Sequence, residues 1–303
     1  MSNQGIKIHD TLTGFTRGSR IDRYWTRNGV EDFYRMFREG ASLPKEAEKM
    51  VNNTALVSQK FHLRGFQFGN WLSLEDRFNY LAALYICLQD FNQVLQFKGH
   101  NLGLDHKLGI SFGARGRSRA QAHFESHSNI INITRYARFD RYPAPKEIRF
   151  VNTGGIGAFA HEYAHFIDYY LGGHYERVRS AFPLTAGRSL NSRRIPYEDK
   201  WILRNITEDI LEKAYWKDPE KKLRSNYMKR LTRKASRDYW FRRNEVFARL
   251  FEQFIGHELQ KKGIKNLFLT EQKYNSNYYL TPAELKEVSP LFRKFLAQVR
   301  TYF

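Results

Sequence analysis

Apolar residues recur at intervals of three and four from Leu74 to Phe97, where Leu81, Leu84, Tyr85, Leu88, Phe91 and Leu95 share a face. That spacing predicts an amphipathic helix packed on a core. Between Leu108 and Arg135 the period falls to two in LGISFG, AQAHFE and NIINIT, separated by GARGRSR and SHSN. This predicts a small antiparallel sheet. Gly154-Gly155 and Gly172-Gly173 bracket the next apolar segment and read as the opening and closing of a helix. The stretch from Tyr175 to Arg237 reads as helical and very basic, and NEVFARLFEQFIGHEL as a further helix with Phe247, Leu250, Phe251 and Phe254 on one side. Thr281-Pro282-Ala283-Glu284 has the residues of a capping box with proline at the first helical position, and launches a C-terminal helix through Phe295. Upstream, VEDFYRMFREG and LPKEAEKMVNNTALVSQKF suggest short helices behind a basic arm. With no internal repeat or linker, the chain reads as one α+β domain over residues 59–303 preceded by an extension, 1–58.

Charge alters this picture. Fifty Lys and Arg against 31 Asp and Glu leave a formal net charge of +19 in 303 residues. Such a surplus implies an anionic partner, with a strongly solvated surface as the plainer explanation. The run from Lys221 to Arg237 carries Lys229, Arg230, Arg233 and Lys234 among its cations and no acid, and GARGRSR adds Arg115, Arg117 and Arg119. If one face collects them, non-specific nucleic-acid contact through phosphates follows. The lone Cys87 lies in an apolar run and reads as core. No signal-peptide pattern or bilayer-length run is present, so the expectation is a cytoplasmic protein without a membrane partner.

The segment AFAHEYAHFID concentrates the chemistry. Residues four apart on a helix stand on one face about 6 Å apart, close enough for His161 and His165 to converge on one ion. Glu162 points to the adjacent side, where it can reach a metal-bound water, the arrangement by which His-Glu-x-x-His serves zinc hydrolases. Phe159, Tyr163, Phe166 and Tyr170 form one apolar stripe and Ala160, Ala164, Ile167 and Leu171 a second. The histidines lie off both, alongside Asp168, which either orients a ligand imidazole or simply solvates the helix.

Zinc hydrolases commonly use three protein ligands. A third histidine six residues beyond His165 would fall at Leu171. A carboxylate on another helix is the alternative, and Glu245 and Glu252 both lie off the Phe stripe of theirs. Glu245 is preferred because it opens that helix, with small Ala248 one turn on. His123 and His174 read as polar surface residues.

Several segments together resemble the zincin-like metallopeptidase domains called large polyvalent protein-associated domains, found in bacteriophages and conjugative elements. They are FGNW at 68–71, FGARG at 112–116, AHFE at 122–125, NIINITR at 129–135, the His-Glu-x-x-His helix, and YWFRRNEVFARLFE at 239–252. The resemblance implies a zincin-like fold of gluzincin pattern, with a small antiparallel sheet beside the active helix. It implies a Zn2+ cofactor held by His161, His165 and Glu245, with Glu162 as catalytic base and a peptide or protein as substrate. An edge strand, NIINITR or AQAHFES, would align that peptide. Tyr239, His123 and Arg249 are candidates to stabilise the oxyanion. Tyr163 stands where relatives often carry tryptophan, and FDRYPAPKEIRFVN lengthens the connection before the helix. The implied setting is a bacterial host cytoplasm or a virion. Two functions compete: an active zinc metallopeptidase, and a non-catalytic DNA-associated or virion protein on the same scaffold.

Overall fold

The structure, a computed structural model, describes residues 38–40, 50, 53–69, 74–115, 122–133, 157–178, 183–186, 199–235, 238–271 and 273–303. Most of the N-terminal extension, Arg117, Arg119, the FDRYPAPKEIRFVN segment and Gly154-Gly155 lie outside these residues. The described chain is a mixed α+β protein, mostly helical with small sheets. It falls into two units. One holds the residues up to Phe159 with Glu258–Thr270 and Phe303, and the other holds Ala160–His257 and Glu271–Tyr302.

The first unit is built on a sheet of four strands, β2 (Gly65–Phe68), β3 (Gly109–Phe112), β4 (Ala122–Glu125) and β5 (Ile130–Ile133), in the order β2-β3-β5-β4. Strand β1 (Arg38–Glu39) lies apart, paired with β8 (Lys265–Asn266). The expected antiparallel sheet is therefore corrected to a mixed one: β2 and β5 both run parallel to β3, and only β4 is antiparallel. Parallel neighbours need a crossover. The helix from Leu74 to Leu95 lies between β2 and β3 in the chain and makes that crossover, so GFQF pairs with GISF across more than forty residues. NIINITR is also interior, because β5 sits between β3 and β4, and AHFE is an edge.

Helix α1 (Thr54–Lys60) is capped by Asn53, whose side chain accepts from Leu56 N–H, and it packs on β2. Helix α2 (Leu74–Leu95) begins where expected and stops two residues short of Phe97, and it lacks the expected amphipathic character in its middle, since every residue from Leu81 to Leu88 is fully buried. It is a central core helix, apolar all round in its middle. Tyr80 stacks on Phe112 at 5.0 Å, and Cys87 is buried as expected. Asp90, also in α2, accepts two 2.7 Å hydrogen bonds from Arg38 and one of 2.9 Å from Asn266. This buried cluster ties the β1–β8 pair to the helix. It also gives an extended conformation to Arg38, a residue expected at the end of a helix.

The second unit is helical. Helix α3 (Phe159–His174) bears the histidines, and α4 (Ile202–Tyr215) leads into a hairpin of β6 (Trp216–Asp218) and β7 (Leu223–Arg224). Helix α5 (Asn226–Lys234) follows, then α6 (Arg243–Lys261), which runs on into the first unit, and α7 (Pro282–Val299). Gly172 and Gly173 do not close α3; they lie in its last turn. Arg204 donates to the Gly172 carbonyl at 3.1 Å, while Glu176 accepts the N–H groups of Leu203 and Arg204 at 2.6 and 2.7 Å. That carboxylate satisfies the open N-terminus of α4, whose own cap position, Trp201, supplies no side-chain bond. Helix α4 packs along α7, and Phe292 of α7 stacks on Phe254 of α6 at 5.2 Å. The capping box at Thr281 and Glu284 forms as expected, and the helix continues four residues beyond Phe295.

Candidate metal centre

Both apolar stripes of α3 are buried, so the helix is held on two sides and its histidines face α6. The two rings lie 4.9 Å apart. From α6, Glu245 meets both: its Oε2 is 3.4 Å from His161 Nε2 and its Oε1 is 3.5 Å from His165 Nε2. Ala248, one turn on, is fully buried. The three ligand atoms lie within 4.8 Å of one another, and no other such cluster of three occurs among the described residues. Glu245 Oε2 is buried and makes no hydrogen bond. Leaving a carboxylate oxygen buried and unbonded is costly unless something else satisfies it.

These residues fit a metal. A tetrahedral ion with bonds of about 2.1 Å sets neighbouring ligand atoms about 3.4 Å apart. The two nitrogen-to-oxygen separations, each to a different oxygen of Glu245, are close to that edge, and the set as a whole spans up to 4.8 Å. Two imidazoles and one carboxylate suit a transition ion better than magnesium or calcium.

The protonation states of His165 and Glu245 fit as well, while His161 would release a proton on binding. Burial disfavours ionised Glu245, but the nearby His161 and His165 rings and the Tyr239 phenol outweigh it and bring the carboxyl down to about 2. Burial, with the charges of His161 and Arg249, lowers His165 to about 3. Burial also opposes the His161 imidazolium, yet the nearby carboxylates of Glu245, Glu162 and Glu252 raise its pKa. At neutral pH His165 is therefore neutral and Glu245 ionised, the forms in which each binds a metal.

Glu252, the alternative ligand in the sequence, has a different place. Its Oε2 lies 3.8 Å from His161 Nδ1, the ring nitrogen turned away from Glu245. A carboxylate there favours a proton on Nδ1 and leaves Nε2 free to bind a metal. Glu252 is itself held by the Glu271 N–H at 3.0 Å and the Tyr279 hydroxyl at 3.3 Å, and burial raises it to about 7. Nothing local in the sequence marks those partners.

Glu162 is buried, and its charge raises both His161 and Tyr239. The Tyr239 phenol is raised first by burial and then by the nearby Glu245 and Glu162. Arg249 is buried and donates to the Trp240 carbonyl at 2.5 Å. His123 pairs with Glu125 at 3.5 Å, and His174 lies exposed against Tyr170. Asp168 is fully buried and accepts two hydrogen bonds from Thr185, 2.8 Å from the N–H and 2.7 Å from the hydroxyl. It therefore does not solvate the helix, and its partner is a turn at Leu184–Ala186 instead of an imidazole.

The basic candidates separate. Arg115 is paired with Glu125 at 2.7 Å and bonded to Gln67. Arg230 is held by both oxygens of Glu284, at 3.0 and 2.5 Å, and by the Ser276 carbonyl. Lys229, Arg233 and Lys234 are exposed on α5.

Residues 231–303 match the family model of large polyvalent protein-associated domain 1. That last quarter of the chain carries Glu245, Glu252 and Tyr239 but not the histidine helix. No curated protein and no solved structure matches the chain. Among the described residues, no helix is long and apolar enough to cross a membrane.

Proposed function

We propose that this chain is a zincin-like metallopeptidase, a zinc-dependent hydrolase of peptide bonds acting for a phage or mobile element inside a bacterial host. The observation that carries the reading is the pair of Nε2 atoms facing one ionised carboxylate whose Oε2 is otherwise unbonded. A zinc ion held by His161, His165 and Glu245 would supply a Lewis acid and a water acidified to a pKa of about 7.

The remaining work falls to side chains of this chain. Glu162, one residue past His161 on the adjacent side of α3, takes the proton of the attacking water and returns it to the leaving amine. Glu252 keeps the His161 ring oriented. Tyr239, partly exposed and close enough to Glu245 and Glu162 to feel their charges, would donate to the developing oxyanion. The phage or mobile-element setting is supported by the family match over residues 231–303.

The test is cleavage of a casein or peptide-library substrate by zinc-reconstituted protein. Glu162→Gln should lose at least about a hundredfold in rate while keeping its metal. Equal cleavage by the wild type and Glu162→Gln would exclude this mechanism.

A further inference from the structure

The basic run of the sequence does not form one uniform helical face. Residues Lys221 and Lys222 lie in the turn of the β6–β7 hairpin, Arg224 is in β7, and α5 begins only at Asn226. Ser225 caps that helix, accepting from Met228 N–H at 3.0 Å while its hydroxyl donates to the Ala214 carbonyl. Tyr227, Met228 and Leu231 are buried, which turns Lys229 and Arg233 outward. Lys222 takes a left-handed conformation, φ 54°, uncommon for a residue with a side chain. The hairpin and helix thus bring Lys222, Arg224, Lys229 and Arg233, with Leu223 and Thr232, around one open depression of about 500 Å³.

These four cations differ from their neighbours. Lys221 is paired with Asp218 at 3.4 Å, Arg230 with Glu284 and Lys213 with Glu287. None of the four lining cations makes an ion pair among the described residues, and no carboxylate lines the depression. Four like charges gathered without a counterion repel one another, and a polyanion relieves that repulsion. Small-molecule pockets are mostly apolar, whereas Leu223 is the one apolar residue in this lining. The lining has no aromatic ring to stack a base, and its Lys and Arg side chains can contact phosphates of any sequence.

We propose that this depression binds the phosphodiester backbone of duplex nucleic acid, without base selectivity. It shares no residue with the His161–Glu245 centre, so it holds or fails independently of the chemistry there.

The test is fluorescence anisotropy with a labelled mixed-sequence duplex of about 20 base pairs over about 50 to 300 mM salt. The variant carries Lys222→Ala, Arg224→Ala, Lys229→Ala and Arg233→Ala. A matched control removes the same charge at the exposed Lys262, Lys273, Lys286 and Lys294. Each phosphate contact contributes about 0.9 to the slope of log affinity against log salt. The variant should lose about 3 to 4 from that slope and more than about tenfold in affinity, with the control close to wild type and circular dichroism unchanged. Arg230→Ala should leave the slope unchanged, because its guanidinium is already paired. Three results would overturn the proposal: no duplex binding by the wild type, equal losses in variant and control, or binding of an acidic polypeptide such as polyglutamate in preference to the duplex.

Discussion

Asp168 offers a quantitative test of the environment around α3. Its carboxylate is fully buried, and although Thr185 donates two hydrogen bonds to it, burial raises its pKa from 3.8 to about 7. A folded-state pKa above the unfolded one means that the folded protein holds a proton the unfolded chain has released. Stability from this group is fully present below about pH 4 and falls as pH rises toward 7, by about 1.4 kcal/mol per pH unit. Over the window from 3.8 to about 7 the loss is about 4 kcal/mol. Asp168→Asn keeps an oxygen for the Thr185 N–H and has an amide to donate to the Thr185 hydroxyl, but it does not titrate. Urea unfolding of metal-free wild type and variant, followed by circular dichroism at about pH 4.5 and about pH 8, isolates the effect. The variant should gain about 3 to 4 kcal/mol on the wild type between those two conditions. A difference that stays constant with pH, or moves the other way, would refute an aspartate held neutral by burial.

Two other substitutions test the surroundings of the sites. Glu252→Gln should weaken zinc affinity by about 10- to 100-fold without abolishing it, measured by competition with a chromophoric chelator, since it removes the carboxyl group that faces His161 Nδ1 and leaves all three ligands. Asp90→Ala should destabilise the first unit by about 3 to 5 kcal/mol in denaturant unfolding, because it leaves the buried Arg38 guanidinium without its carboxylate.

What the sequence made legible follows the range of each interaction. His161, Glu162 and His165 could be related from one helical turn, and Glu245 from its place at the start of a patterned helix. The capping box at Thr281 is equally local. The parallel pairing of GFQF with GISF joins strands separated by the whole of α2, and period-two patterning carries no information about the direction of a partner. Helix α2 reads as amphipathic in the sequence because a helix buried all round in its middle still shows a three-four repeat where its strongest hydrophobes fall. Gly172 and Gly173 stay helical because Arg204, some thirty residues on, donates to one of their carbonyls. Asp168 with Thr185, Arg230 with Glu284, and Glu252 with Tyr279 and Glu271 are likewise pairings between elements, so charge and position alone assigned those side chains to solvent, phosphate or metal.

The central claim is that His161, His165 and Glu245 hold a metal while Glu162 does not. Elemental analysis of zinc-reconstituted, dialysed protein tests it directly, comparing wild type with His161→Ala, Glu245→Ala and Glu162→Gln. The account predicts close to one zinc per chain in the wild type and Glu162→Gln, and little or none in the other two. Zinc-free wild type, or zinc kept in full by Glu245→Ala, would contradict it.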